Sequence, residues 1–260
     1  MDQTPFGLGR YVPRVLRIAK ESGIQVVVST GLYTFNDMPT FFKMGIKELS
    51  PTFLQDFMIK EIEEGISDTG IKPAILKCAT EHQGLTKDVE FVLRATAQVH
   101  LRTGVLISTH SDSFSKQGLA QQRIFKEEGV DLSRVLIGHV GDTTDIEYIE
   151  QILAQGSYIG MDRFGINRMC PFKDRLATVV ELCKRGYASK MLLSHDMNCE
   201  SDHLSREMTA RVPGYNESRK FTYISDVVLP ALLEAGVSQD DIDQMMIRNP
   251  REFFELSGTY

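Results

Sequence analysis

The sequence predicts an α/β fold of the TIM-type (β/α)8 barrel class. Short apolar runs recur along the chain, each followed by an amphipathic stretch, and that alternation builds a parallel sheet with helices outside it. Several of the amphipathic stretches stop at a glycine, a common helix C-terminal signal. Polar residues with useful chemistry stand at the ends of successive apolar runs, and a barrel brings all such ends to one rim.

The elements follow in order. The first six residues hold a weak strand. Tyr11 to Ser22 reads as a helix ended by Gly23, and Gln25 to Thr30 as the first convincing strand. A helix over Thr52 to Gly65 leads to the strand Pro73 to Lys77. The long helix Lys87 to Thr103, ended by Gly104, leads to Val105 to His110. Leu119 to Glu128 with Gly129 precedes the strand Arg134 to His139, and Asp145 to Gln155 with Gly156 precedes Ser157 to Asp162. Phe172 to Arg185 with Gly186 precedes the strand Lys190 to Asp196, and Ile224 to Ala235 closes at Gly236. Near-continuous apolar strands of this kind are buried on both faces. Alternation alone also fits a doubly wound sheet. Lys77, His110, His139, Asp162 and Asp196 at consecutive strand ends favour the barrel, because an open sheet spreads five such residues too widely for one site.

Composition narrows the function. The chain has 260 residues, 42% hydrophobic and 25% charged, with a formal charge of −6. No linker or low-complexity tract divides it, so residues 1–260 read as one domain. The acidic balance and the lack of a basic stripe exclude nucleic acid as an expected partner. No apolar run is long enough for a membrane span, and the N-terminus carries no signal peptide. The four cysteines form no CxxC pair, which points to a reducing, cytoplasmic setting.

A lone histidine in an apolar run reads as a satisfied core residue. His110 and His139 occupy matched positions in successive strands, and paired neutral imidazoles suit a divalent transition metal. Asp196 adds an oxygen ligand or a general base. Lys77 read from spacing alone is a lysine that snorkels to the rim. Buried, it would favour the neutral amine, which can take up carbon dioxide as a metal-bridging carbamate. Cys199 and His203, with acids between them, read as a solvated loop. Phe41, Phe42, Met44 and Phe57 read as core packing.

The motifs Thr30-Gly-Leu-Tyr33, Ile71-Lys-Pro-Ala-Ile-Leu-Lys77, Ile107-Ser-Thr-His110, Ile137-Gly-His139-Val-Gly-Asp142, Gly160-Met-Asp162-Arg163-Phe-Gly165 and Leu193-Ser-His195-Asp196 resemble the phosphotriesterase family of the amidohydrolase superfamily, most closely its lactonases. The resemblance covers essentially the whole chain. It implies a barrel with two divalent metals per subunit, usually zinc, with Co2+, Mn2+ or Fe2+ as substitutes. It implies that Lys77 is carbamylated and bridges the metals, that His110 and His139 hold the more exposed one, and that Asp196 binds the deeper one. Asp196 would take a proton from a bridging hydroxide, with Arg163 and Tyr33 close to the metals and substrate. The implied activity is lactone opening with promiscuous organophosphate hydrolysis, on small-molecule substrates, in a chain that can form a homodimer. The sequence contains no His-x-His, the pair that holds the deeper metal from the family's first strand. The resemblance therefore implies a barrel without its first βα unit, with about seven strands. A catalytically silent homologue that binds a metal or a partner is the alternative. His195, next to Asp196, is expected to point away from the barrel axis.

Overall fold

The computed structural model describes residues 1–197, 206–211 and 218–258. It divides into two compact units, Met1–Leu136 with Phe254–Tyr260, and Ile137–Phe253. Cys199 and His203 lie outside the described residues.

In the first unit the strands β1 (Ser29–Gly31), β2 (Ile75–Thr80), β3 (Leu106–Ser111) and the start of β4 (Val135–Ile137) run parallel in chain order. Every residue of these strands is buried, as expected of parallel strands covered on both faces. The register sets Gly31 beside Lys77, Lys77 beside Ser108 and Ala79 beside His110. The N-terminal segment makes two isolated parallel bridges, Asp2 with Val28 and Phe6 with Leu32, in place of a continuous strand. The Thr4 N–H is taken by the Asp2 carboxylate at 3.0 Å, and Pro5 has no N–H to give, so the ladder cannot run through.

Helices α1 (Val12–Ser22), α2 (Thr40–Glu48), α3 (Phe53–Glu64), α4 (Lys87–Thr103) and α5 (Gln117–Glu127) complete this unit. The boundaries of α4 match the sequence expectation. Thr86 caps it by accepting from the Val89 N–H, and Gly104 ends it in the left-handed conformation, where an L side chain is strained. Helix α2 is not in the sequence reading. Its Gly45 is mid-helix, where a Cβ would run into the ring of Phe53. The aromatic group divides here: Phe42 is fully buried against Phe6, Phe53 and Phe57, while Phe41 and Met44 face solvent.

In the second unit β5 (Tyr158–Met161) and β6 (Met191–Leu193) pair in parallel. Helices α6 (Ile146–Leu153), α7 (Phe172–Lys184), α8 (Arg206–Ala210), α9 (Leu229–Glu234), α10 (Gln239–Asp243) and the α11 helix (Asn249–Glu255), which runs on into the first unit, follow. The predicted helix over 224–235 begins as a π-helix, Ile224–Val228, and a second π stretch spans Gln244–Arg248. Each precedes a proline by two residues, Pro230 and Pro250. A proline lacks the N–H for the bond to residue i−4 and crowds that carbonyl, so the backbone widens before it. The buried Asn249 amide donates to the carbonyls of Ala188 and Met191, both at 2.7 Å, which anchors the start of α11 beside β6.

Candidate active site

The predicted residues sit on these frames, with some shifts of position. Lys77 lies within β2 and not at its end, because the strand runs on to Thr80. Its side chain is buried and its Nζ donates to the Thr109 carbonyl at 2.9 Å, so it does not snorkel outward. Next to it Cys78 is fully buried, and burial pushes its thiol up to about 12 against the opposing charge of Lys77.

His110 is near the end of β3 and buried. Its Nε2 lies 3.2 Å from the Tyr33 hydroxyl and 3.1 Å from Glu81 Oε1. Tyr33 itself donates to Glu81 and packs edge-on against the His110 ring, with centroids 5.1 Å apart. Among the described residues, Glu81, His82 and Asp112 bring potential metal-ligand atoms within 4.8 Å of one another. None of the three is in the predicted ligand set. A cavity of about 480 Å3 lined by Phe6, Arg10, Tyr11, Ile66 and Thr69 holds none of the predicted residues either.

In the second unit His139 follows β4 at φ 62°. Its Nδ1 lies 2.8 Å from Asp162 Oδ1, and its backbone N–H donates to the other carboxylate oxygen at 3.0 Å. Burial alone would favour a neutral Asp162, but the charge and hydrogen bond of His139, with Arg163 nearby, hold the carboxyl below its usual range. Gly160 makes room: a Cβ there would meet the Asp162 carboxylate.

Arg163 follows at φ 61°. Its NH1 donates to Asp142 at 2.7 Å and its Nε to Asp196 at 3.0 Å. Burial acts to lower the guanidinium's pKa, and the charges of Asp142, Asp196 and Asp162 outweigh it and raise it. Asp196 lies three residues past the end of β6, at φ 46° and exposed, not at a strand end. Arg219 holds that loop by donating to the carbonyls of His195 and Asp196, at 3.1 and 2.9 Å. The His195 ring turns to Phe221, with centroids 5.5 Å apart, and its Nδ1 accepts the Met197 N–H at 3.1 Å. Burial, then Arg219, lowers its pKa.

Three residues of these networks had no role in the sequence reading: Glu81, Arg175 and Asp142, the last quoted there only within a motif. Arg175 is fully buried and donates to Asp142 at 2.5 Å, to the Gly141 carbonyl at 2.9 Å and to the Arg163 carbonyl at 2.6 Å. One signal for it was present: it stands at the head of the buried stripe 175, 178, 179 and 182 of α7, where an apolar residue is expected.

The donor chemistry fits a divalent metal. His139 gives one ring nitrogen to a carboxylate, the usual companion of a ligating imidazole. His110 has a carboxylate and a phenol at one ring nitrogen, and Lys77 is a buried amine. This is a parallel α/β protein with Lys77 and His110 on strands of the first unit and His139, Asp162 and Asp196 just after strands of the second. The phosphotriesterase family model matches residues 1–254. The solved structure of the phosphotriesterase from Mycobacterium tuberculosis is 49% identical, covers 100% of this chain and 82% of that one, and superposes with a TM-score of 0.94. The aryldialkylphosphatase of Saccharolobus solfataricus is 38% identical over 98% of this chain and 79% of its own. A mutant of the Deinococcus radiodurans PTE-like lactonase is 30% identical over 96% of this chain and 79% of its own, with a TM-score of 0.86. The chain belongs to the phosphotriesterase family. The fold of its structural neighbours is the TIM barrel, and the family's members are hydrolases and binuclear metal enzymes. Among the described residues no helix is long and apolar enough to cross a membrane.

Proposed function

We propose that the chain is a zinc-dependent hydrolase that opens lactones and turns over organophosphate triesters more slowly. The observation that carries this reading is the buried His139–Asp162 pair. When the ring is neutral, the Nδ1 bond to the carboxylate leaves its lone pair on Nε2, the form in which histidine binds metal. In this reading Lys77, as a carbamate, and His110, His139 and Asp196 would hold the metal. A bound divalent ion polarises the substrate's carbonyl or phosphoryl oxygen and lowers the pKa of water.

The chain's own groups do the rest. Asp196 accepts the proton released when water attacks. Arg163 steadies that carboxylate through Nε and ties it to Asp142 through NH1. Tyr33, its hydroxyl held by Glu81, helps position the small-molecule substrate or the attacking water. The lactone preference rests on the motif resemblance to lactonases and on the lactonase neighbour. The same resemblance brings a homodimer. Among the described residues Cys78, Cys170 and Cys183 are free thiols, in keeping with a cytoplasmic setting.

The deciding experiment is a pH-indicator assay of the zinc-loaded chain. Substrates are medium-chain γ- and δ-lactones, acyl homoserine lactones and an aryl phosphotriester. Lactone turnover well above phosphotriester turnover supports the reading. Strong phosphotriester turnover without lactone turnover reverses the substrate choice. No turnover of either, with zinc bound, points to the silent homologue.

A further inference from the structure

We infer that Glu81 is a positioning residue that selects the ring nitrogen of His110 offered to a metal. This rests on the reading of His110 as a zinc ligand and adds a role to a residue outside the predicted ligand set.

Proton placement decides which nitrogen is offered. The Tyr33 hydroxyl gives its hydrogen to Glu81, so toward His110 Nε2, 3.2 Å away, its oxygen acts as an acceptor. The carboxylate of Glu81, 3.1 Å from the same Nε2, also only accepts. With acceptors on both sides, Nε2 carries the proton, and the lone pair of the neutral ring is on Nδ1. The His110 side chain is 8% exposed and that of Glu81 21%, so solvent does little to weaken the contact. His139 shows the same device with the ring reversed, its Nδ1 bonded to Asp162. Each proposed histidine ligand therefore has its own carboxylate, and the two carboxylates select opposite nitrogens.

Glu81 reaches His110 because β2 ends at Thr80, one residue before it, while Ala79 pairs with His110 in the β2–β3 register. A glutamine of the same length breaks the logic. Its amide can donate to Nε2, which draws the ring proton to Nδ1 and blocks the ligating lone pair. Loss of an outer-shell partner of this kind weakens metal binding about 10- to 100-fold.

The test uses the full chain and zinc itself. Zinc affinity is measured by competition with a chromophoric chelator for the wild type, Glu81→Gln and His110→Ala. The imidazole 15N shifts of His110 are recorded at pH 8 in the zinc-free wild type. We expect zinc binding by Glu81→Gln to be about 10- to 100-fold weaker, with the zinc-free unfolding midpoint unchanged, and the wild-type ring protonated at Nε2. Wild-type zinc affinity in Glu81→Gln overturns the role of Glu81 and leaves His110 as a ligand. A wild-type ring protonated at Nδ1 overturns it even if the variant fails to fold. Unchanged zinc affinity in His110→Ala overturns the ligand reading, and this inference with it.

Discussion

Arg175 donates to Asp142 at 2.5 Å, and both side chains are buried. The same guanidinium holds the carbonyls of Gly141 and Arg163, so one cation ties the turn after β4 to the turn after β5. Removing it takes a partner from a buried carboxylate, a buried carbonyl and a part-buried one. Breaking a buried pair from one side costs about 3–5 kcal/mol. Arg175→Met is therefore expected to lose that much in urea unfolding. Arg175→Lys should recover little of it, because a single ammonium cannot match a planar fork on three acceptors. A loss below about 1 kcal/mol for Arg175→Met, the size of an exposed ion pair, would show that Arg163 alone satisfies Asp142.

Gly31 is the second point of leverage. It sits at φ 125° beside Lys77 in the β1–β2 register, and a Cβ there would enter the Lys77 carbonyl. That carbonyl also accepts the Leu32 N–H at 3.0 Å. Backbone cannot move aside as a flexible side chain can. Gly31→Ala is expected to cost about 2 kcal/mol or more, from strain at positive φ plus the displaced strand. Because the displaced peptide is that of Lys77, zinc content should fall with stability. Full zinc content in a destabilised Gly31→Ala would separate the strand contact from the site.

The parts of the fold legible in the sequence were those written locally. All six apolar runs became strands, since a parallel strand buried on both faces reads as an unbroken apolar run. The glycines proposed as helix ends, Gly23 and Gly104 among them, have positive φ. Helix α2 was missed because Pro39 precedes it and Gly45 interrupts it, both of which resemble breaks. The site was legible as residue types but not as a network. Arg175 and Asp142 are 33 residues apart, and Glu81 meets Tyr33 across 48. Pairings of that span exist only after the strands align. Asp196 shows the same limit: the run Lys190 to Asp196 looked continuous, yet β6 stops at Leu193.

His100 makes stability depend on pH. It is fully buried near the end of α4, with Nδ1 2.8 Å from the Val105 carbonyl. Burial lowers its pKa from 6.5, the Val105 bond pulls it back up, Arg134 lowers it and Asp131 raises it. The unfolded chain therefore takes up a proton at a higher pH than the folded chain. The stabilising contribution is complete above pH 6.5 and is lost as pH falls from there toward the folded pKa. The slope is at most about 1.4 kcal/mol per pH unit. In urea titrations at pH 7.5, 6.5 and 5.5, His100→Gln should lose stability less steeply on acidification than the wild type. Parallel curves would remove His100 as the source.

Asp196 tests the chemistry. Its carboxylate has no strand to fix it: the loop is held by Arg219 through two carbonyls, and the side chain by Arg163 Nε. Asp196→Asn keeps the shape and can still accept from Arg163, but it cannot take a proton. Loss of a positioned general base lowers turnover by about 10^2- to 10^4-fold, so kcat on a lactone should fall by that factor while KM changes little. Arg163→Lys should behave differently. It keeps the charge but cannot span Asp142 and Asp196 at once, so the carboxylate wanders. Its kcat should fall less than that of Asp196→Asn, and the double variant should fall no further than Asp196→Asn alone, since residues acting as one unit are not additive. Multiplying losses in the double variant would show that Arg163 acts on the substrate directly and not through Asp196.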